Sequence, residues 1–267
     1  MDSFFVAVIL GIVEGITEFL PISSTGHLIL VNKVVGFTGE FAQMFDVVIQ
    51  LGAILSVVVY FWSKLWPWGR GKTAAQRAET WDLWKKAIVG VMPAIIIGAA
   101  LGSHVHRLLF NPVTVGAALV IGGIILILLE RRGKTGEKES IAQLSYKTVL
   151  LIGLIQCLAM IPGTSRSAAT IIGAMALGAS RYLAVEYSFY LAIPTMVAAS
   201  GYSLLSVGAS LEVAQWLMLA VGFAVSFVVA LLVIAALMRY IRTKTFIPFG
   251  YYRIVLGLLV LVLCYRY

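Results

Sequence analysis

Phe4-Phe-Val-Ala-Val-Ile-Leu-Gly-Ile-Val13-Glu14-Gly-Ile-Thr-Glu18-Phe-Leu-Pro21-Ile-Ser-Ser24-Thr-Gly-His27 is the stretch that decides how this chain folds. The apolar run Phe4–Val13 is too short for a bilayer, which takes about 20 residues to cross. It ends in two carboxylates that lipid tails reject. Pro21 then interrupts any helix, because it has no N–H to donate. An apolar stretch nevertheless resumes and reaches Val35. Phe4–Val35 therefore reads as a helix that enters the membrane, breaks and returns. Leu150–Leu177 has the same form around Pro162-Gly-Thr-Ser-Arg166-Ser167. Backbone at membrane depth can leave the helical state only where protein or a water-filled cavity satisfies its polar groups. The two breaks thus imply a cavity between them.

The rest of the chain demands lipid as solvent. Of 267 residues, 61% are hydrophobic and 12% charged, more apolar surface than a soluble domain can hide. Long apolar windows at Phe41–Trp62, Ala87–His104, Pro112–Glu130, Val185–Ser206, Gln215–Tyr240 and Phe246–Tyr265 predict six spanning helices. The expected fold is an all-α polytopic membrane protein, a single membrane domain over 1–267 with six transmembrane helices plus two re-entrant helical hairpins. Residues 1–135 and 145–267 match as repeats. Gly-Ile-Val-Glu14 pairs with Gly-Leu-Ile-Gln156, Pro21 with Pro162, Ser24 with Ser165, Asp46 with Glu186, and Asn-Pro112 loosely with Ile-Pro248. Each repeat is one hairpin followed by three spans, and an odd number of spans inverts the second repeat in the membrane.

The net charge of +8 gathers in three connections. Lys64, Arg70, Lys72, Arg77, Lys85 and Lys86 fill the loop expected after the first span. Arg131, Arg132, Lys134, Lys138 and Lys147 follow the third, and Arg239, Arg242 and Lys244 the fifth. The connections near Phe110 and Ser210 are poor in Lys and Arg. Basic loops face the anionic cytoplasmic leaflet, which puts both termini outside in a multi-pass protein of the inner membrane. Membrane lipids account for the charge, and a nucleic-acid partner is not expected. The Met-Asp-Ser start carries no basic n-region, so no cleaved signal peptide is expected. Cys157 and Cys264 lie in apolar stretches and read as packing residues. His104 and His106 show no metal-ligand pattern and receive no function. The 25 glycines permit close helix contacts within or between protomers, which leaves a homodimer open.

Candidate chemistry concentrates at the two breaks. Glu14 and Glu18, four residues apart, fall on one helical face. They read either as a solvated structural pair or as a site for a hard divalent cation, Mg²⁺ or Ca²⁺. Ser23, Ser24, Thr25 and Gly26 sit where a helix restarts, and backbone N–H groups there bind anions. Ser24 reads as a cap or, with His27 or an acid to take its proton, as a nucleophile. His27 would serve as acid or base because imidazole titrates near neutral pH. Arg166 fits a phosphate or a structural partner among Glu14, Glu18 and Glu186. Thr164, Ser165 and Ser167 enlarge the donor set, and Gln156 stands where the first repeat has Glu14. Asp46 and Glu186 read as supports that anchor the hairpins or pair with Arg166 or Arg181.

At these residues the chain resembles the undecaprenyl-pyrophosphate phosphatase family of bacterial envelopes, the BacA type associated with bacitracin resistance. The stretches that carry the likeness are Glu14 to His27, Val47-Val-Ile-Gln-Leu-Gly52, Pro162-Gly-Thr-Ser-Arg166-Ser and Phe246-Ile-Pro-Phe249. The resemblance implies dephosphorylation of undecaprenyl pyrophosphate to the monophosphate, a divalent-cation requirement and a site opening to the outer face. It implies that Glu14 and Glu18 form the acidic motif, Ser24 is the nucleophile, His27 the acid/base and Arg166 the phosphate clamp. Asp46 stands where the pattern has Glu, and Ala168 where it has Gly. Transport or flipping of a prenyl-phosphate lipid is the competing expectation, since inverted repeats with paired hairpins are a transporter design.

Overall fold

The computed structural model describes residues 3–132, 136–207 and 211–265. Lys134 and Ser210 lie outside these residues, as do the side chains of His106 and Cys264. The described chain is helical, and its one β-bridge joins Lys138 to Ala179. In chain order the helices are α1 (Ser3–Thr17), α2 (Ser24–Val35), α3 (Glu40–Tyr60), the single turn α4 (Trp62–Leu65), α5 (Ala74–Leu109) and α6 (Pro112–Arg131). They continue as α7 (Tyr146–Gln156), α8 (Arg166–Ala176), α9 (Arg181–Val207), α10 (Val213–Tyr240) and α11 (Ile247–Tyr265).

Five helices are long and apolar enough to cross a membrane: α3, the Ala74–Gly102 part of α5, α6, the Arg181–Leu205 part of α9, and α10. The apolar part of α11, Ile247–Leu263, is shorter, as are α1 and the run Tyr146–Met160. Their outer faces expose Ile95, Ile121, Leu128, Leu232 and Val255, the side chains a hydrocarbon solvent favours.

The predicted helix breaks are present. Residues 18–23 separate α1 from α2, and a 3₁₀ turn (Cys157–Met160) with residues 161–165 separates α7 from α8. Gly36, at φ 70°, ends α2 in a left-handed cap. Asn111 caps α6 ahead of Pro112 in its first turn.

The second expected span departs from its predicted start. Helix α5 begins at Ala74, so Arg77, Lys85 and Lys86 are helical residues rather than loop residues. Ala74-Ala-Gln-Arg-Ala-Glu-Thr-Trp is rich in helix formers. The helix also earns an i,i+4 ion pair, Asp82–Lys86, with Lys86 buried and donating to the Ile141 and Ala142 carbonyls. At 36 residues, α5 is about 54 Å long and outruns a hydrocarbon core of about 30 Å.

Helix packing is interleaved. Helix α1 packs on α10 and α7 on α5, while α3 packs on α9 and α6 on α11. Small residues allow these approaches. A Cβ at Gly11 would lie 2.8 Å from the Gly222 carbonyl oxygen, and one at Gly153 would lie 2.1 Å from that of Gly90. Polar contacts gather several connections at one end of the bundle. Arg181, at the start of α9, makes a two-pronged bond to Glu130 at the end of α6. The same carboxylate accepts from the Phe246 N–H just before α11. Lys64 on α4 pairs with Glu186 in the second turn of α9. The basic connections therefore share one end, as the charge pattern predicts.

Candidate functional site

Two serines shape the turns. Ser23 (φ 73°) and Ser165 (φ 69°) are the non-glycine residues with positive φ among those described. Holding an L-residue in such a sparsely populated region costs of order 1–3 kcal/mol, and such strain clusters at functional sites. Each serine caps the helix that follows. Ser23 Oγ accepts from the Gly26 N–H at 3.3 Å and Ser165 Oγ from the Ala168 N–H at 3.2 Å.

This geometry corrects the sequence pairing of Ser24 with Ser165. The spacing that aligns Glu14 with Gln156 also aligns Ser23 with Ser165, and therefore Ser24 with Arg166. The prolines mislead because the second turn has one more residue between Pro162 and its cap than the first has after Pro21. Ser24 and Arg166 are thus both the first residue of the helix restarting after a break.

The two restarts meet on Glu18. Ser24 Oγ donates to Glu18 Oε2 at 2.6 Å, and Arg166 Nη2 donates to Glu18 Oε1 at 3.0 Å. Arg166 Nη1 donates to the Ser188 carbonyl at 2.9 Å and reaches Ser188 Oγ at 3.3 Å. Its Nε is buried and has no partner among the described residues. The guanidinium thus pairs a carboxylate on one edge while keeping a donor free. Phe19 lies edge-on to Phe189 at 4.9 Å and walls this cluster with hydrocarbon.

A cavity of about 880 Å³ opens at the cluster. Glu18, Ser24, Thr25, Ser165, Arg166 and Gln156 form its polar floor, and Gln50 and Thr195 add further polar groups. Its remaining wall is mostly apolar and runs along α5 and α9 to Gly102 and Tyr202, near the ends of those helices away from the basic connections. Glu14 lies behind Glu18, 0% exposed, its carboxylate facing that of Glu18 and geometrically without a hydrogen-bond partner among the described residues. Glu18, Asp46 and Arg166 are within its electrostatic reach. Gln156 is 2% exposed and equally without partners among the described residues. Buried polar groups left this way call for a ligand, an ion or water.

Other expected site residues serve the turns. Ser23 and Gly26 form the first cap. Ser167 Oγ donates to the Leu20 carbonyl and links the second hairpin to the first. Thr164 contributes its backbone carbonyl to Arg253. His27 does not reach the cluster. Its Nδ1 bonds the Ser23 carbonyl at 2.7 Å and its Nε2 the Tyr252 hydroxyl at 2.7 Å, with the two rings stacked. A carbonyl only accepts, so Nδ1 donates to it, and in a neutral ring Nε2 accepts from the Tyr252 hydroxyl. With both nitrogens engaged, the ring lines a separate apolar pocket beside Ile16, Leu20 and Phe249.

The supports also choose other partners. Asp46 accepts from Asn32 at 2.6 Å, and Glu186 binds Lys64 and the Tyr190 hydroxyl, so neither pairs with Arg166 or Arg181. Arg181 is taken by Glu130 because both lie at the basic end of the bundle.

Arg253 is the residue that the motif reading omits. It is 0% exposed on α11, with no carboxylate partner among the described residues. Its guanidinium donates to five backbone carbonyls: Pro21 at 3.2 Å in the first break, Gly163 at 3.2 Å and Thr164 at 2.9 Å in the second, and Ala118 and Leu119 on α6 at 3.2 and 3.4 Å. The available signal was an arginine inside the apolar run Phe246–Tyr265, since an ionised group at membrane depth is a functional candidate by default.

The family model described as bacitracin resistance protein BacA matches residues 7–259. The chain is 52% identical over 259 residues to undecaprenyl-diphosphatase 1 of Clostridioides difficile, covering 96% of this chain and 94% of that one. It is 50% identical over 262 residues to undecaprenyl-diphosphatase of Limosilactobacillus fermentum, covering 96% and 95%. It is 47% identical over 263 residues to that of Enterococcus faecalis, with the same coverage of each chain.

Proposed function

Since the chain belongs to the bacitracin resistance protein BacA family, we propose that it hydrolyses undecaprenyl pyrophosphate to undecaprenyl phosphate and inorganic phosphate, recycling a lipid carrier for the cell envelope. Relatives near 50% identity over almost the whole chain bear the name of that activity. The observation that carries the residue-level reading is Ser24 and Arg166 sharing the Glu18 carboxylate on the polar floor of a cavity with an apolar wall.

The prenyl tail stays in lipid while the pyrophosphate enters the cavity. Arg166 is the phosphate clamp, offering Nε and exchanging part of its Glu18 contact for phosphate oxygens. Thr25, Ser165 and Gln156 are available as further donors from the cavity floor. Ser24 Oγ attacks the terminal phosphorus and passes its proton to Glu18. The bridging P–O bond breaks, Glu18 passes that proton to the oxygen of the departing undecaprenyl phosphate, and Oγ holds the phosphoryl group. Water then attacks phosphorus with Glu18 accepting its proton, inorganic phosphate departs and Ser24 is reprotonated. Glu18 is the base of this scheme because it already holds the hydroxyl. His27 is assigned to holding the strained Ser23 carbonyl next to the nucleophile.

A divalent cation, Mg²⁺ or Ca²⁺, fits beside this cluster. Neither Glu14 oxygen has a hydrogen-bond partner among the described residues, and such ions take one or two carboxylates together with substrate phosphates. Glu14 and Glu18 would hold it, and it would neutralise phosphate charge.

The arrangement proposed for the membrane is six transmembrane helices and two re-entrant hairpins, α1–α2 and α7–α8. Residues 1–135 and 145–267 form inverted repeats. Equivalent caps at Ser23 and Ser165 support this, as does the matched packing of α1 on α10 and α7 on α5. With the basic connections in the cytoplasm, the termini lie outside and the cavity opens outward, in the inner membrane of a bacterium. A homodimer remains compatible with this arrangement.

The test is phosphate release from undecaprenyl pyrophosphate by detergent-purified protein, with and without a chelator. Release by the wild type, at least tenfold slower after chelation and restored by Mg²⁺ or Ca²⁺, is expected. Wild-type protein without release in any divalent cation refutes the enzyme, and full release in chelator refutes the cation.

A further inference from the structure

A fully buried arginine with no carboxylate partner among the described residues is an expensive choice, because guanidinium must recover its hydration from what surrounds it. In Arg253 the recovery comes from carbonyl dipoles, and the carbonyls are unusual. Pro21 lies between Glu18 and Ser24, while Gly163 and Thr164 lie just before Ser165 and Arg166. Breaks in two different helices leave carbonyls without intrahelical partners. One planar fork satisfies three of them and fastens both turns to α6 through the Ala118 and Leu119 carbonyls.

The seat is shaped for this group. A Cβ at Gly122 would lie 2.3 Å from Arg253 Nη2, so α6 has space at the guanidinium only because position 122 is glycine. Gly163, at φ 90°, brings its turn within 2.4 Å of the Val115 carbonyl oxygen as measured from an added Cβ, so the second break is pressed against α6 at the same level.

We propose that Arg253 is a positioning residue for the phosphatase reaction. By holding the Pro21 carbonyl and the Gly163–Thr164 carbonyls on a single guanidinium, it fixes the spacing between the two turns and thereby the approach of Ser24 and Arg166 to one phosphorus. It makes no hydrogen bond or ion pair with Glu18, Ser24 or Arg166 itself. Lysine cannot replace it, since an ammonium is a point donor that cannot span carbonyls from three separate segments. The inference rests on the functional reading above, and its test keeps the two apart.

The experiment measures kcat and KM for phosphate release by purified wild type, Arg253→Lys and Gly122→Ala, each rate divided by the folded fraction from size-exclusion and thermal unfolding. Displacing reacting groups by about 1 Å costs on the order of 100-fold in rate. The expected result is a kcat at least tenfold below wild type for Arg253→Lys, with KM changed less than about threefold because the phosphate-binding groups remain. Gly122→Ala pushes on Nη2 without altering any charge, and the same kcat-selective loss is expected. If Arg253→Lys yields no folded protein, Gly122→Ala decides. Folded Gly122→Ala, or folded Arg253→Lys, turning over within about twofold of wild type overturns the proposal while leaving the phosphatase assignment intact. Inactive wild-type protein would instead overturn that assignment.

Discussion

Glu18→Gln tests the centre of the site most directly, because it keeps the side chain's shape while removing its charge. In the structure Glu18 has two tasks: accepting the Ser24 hydroxyl at 2.6 Å and balancing Arg166 at 3.0 Å. Loss of a positioned base costs typically 10²–10⁴ in rate, which is about 3–5 kcal/mol of transition-state stabilisation. Breaking a buried ion pair outright costs about 3–5 kcal/mol of stability. Here Arg166 keeps the Ser188 carbonyl, and glutamine keeps one acceptor oxygen, so the folding penalty falls to about 1–3 kcal/mol, the range for an imperfectly satisfied buried group. The variant should therefore be folded but slow. The assay is phosphate release by purified Glu18→Gln, Ser24→Ala and the double variant. Residues acting as one unit are strongly non-additive, so the double variant should fall within about threefold of the slower single. Multiplying losses, or a Glu18→Gln enzyme within about threefold of wild type, would refute the Ser24–Glu18 pairing. Near-full release by Ser24→Ala would exclude the phosphoserine route and favour direct attack by water.

Two further outcomes follow from the hydrogen bonding. His27→Gln, whose amide can still donate to the Ser23 carbonyl, should retain at least fivefold more kcat than His27→Ala; equal loss in both would restore the imidazole as an acid/base. Arg181→Ala should strip the fully buried Glu130 of its two-pronged partner and lower stability by about 3–5 kcal/mol, read as a fall in Tm. Turnover of the remaining folded enzyme should stay within about twofold of wild type, because this pair sits at the end of the bundle away from the cavity.

The local pattern was enough to locate the breaks. Proline, clustered hydroxyl residues and carboxylates inside apolar runs have no comfortable place in lipid, so Phe4–Val35 and Leu150–Leu177 declare their interruptions without reference to the rest of the chain. Helix lengths were legible where apolar residues alone set them, as in α3 and α6. They were misread at α5, whose first three turns are amphipathic and rest on Asp82–Lys86 and the carbonyls after Ser140.

Partner choice was a different matter. Which carboxylate meets Arg166, which arginine meets Glu130, and where the His27 ring turns depend on helices distant in sequence meeting at a common depth, and residue type does not encode depth. Arg253 is the clearest case. Its partners are backbone carbonyls, which every sequence supplies at every position, so its role became visible only when α11 and α6 brought it against two broken turns. Sequence by itself determined that this chain is built of apolar membrane helices and gathers its buried polar candidates at two interruptions. Tertiary structure decided that both interruptions converge on Glu18, because only packing sets the distances over which proton transfer and charge pairing act.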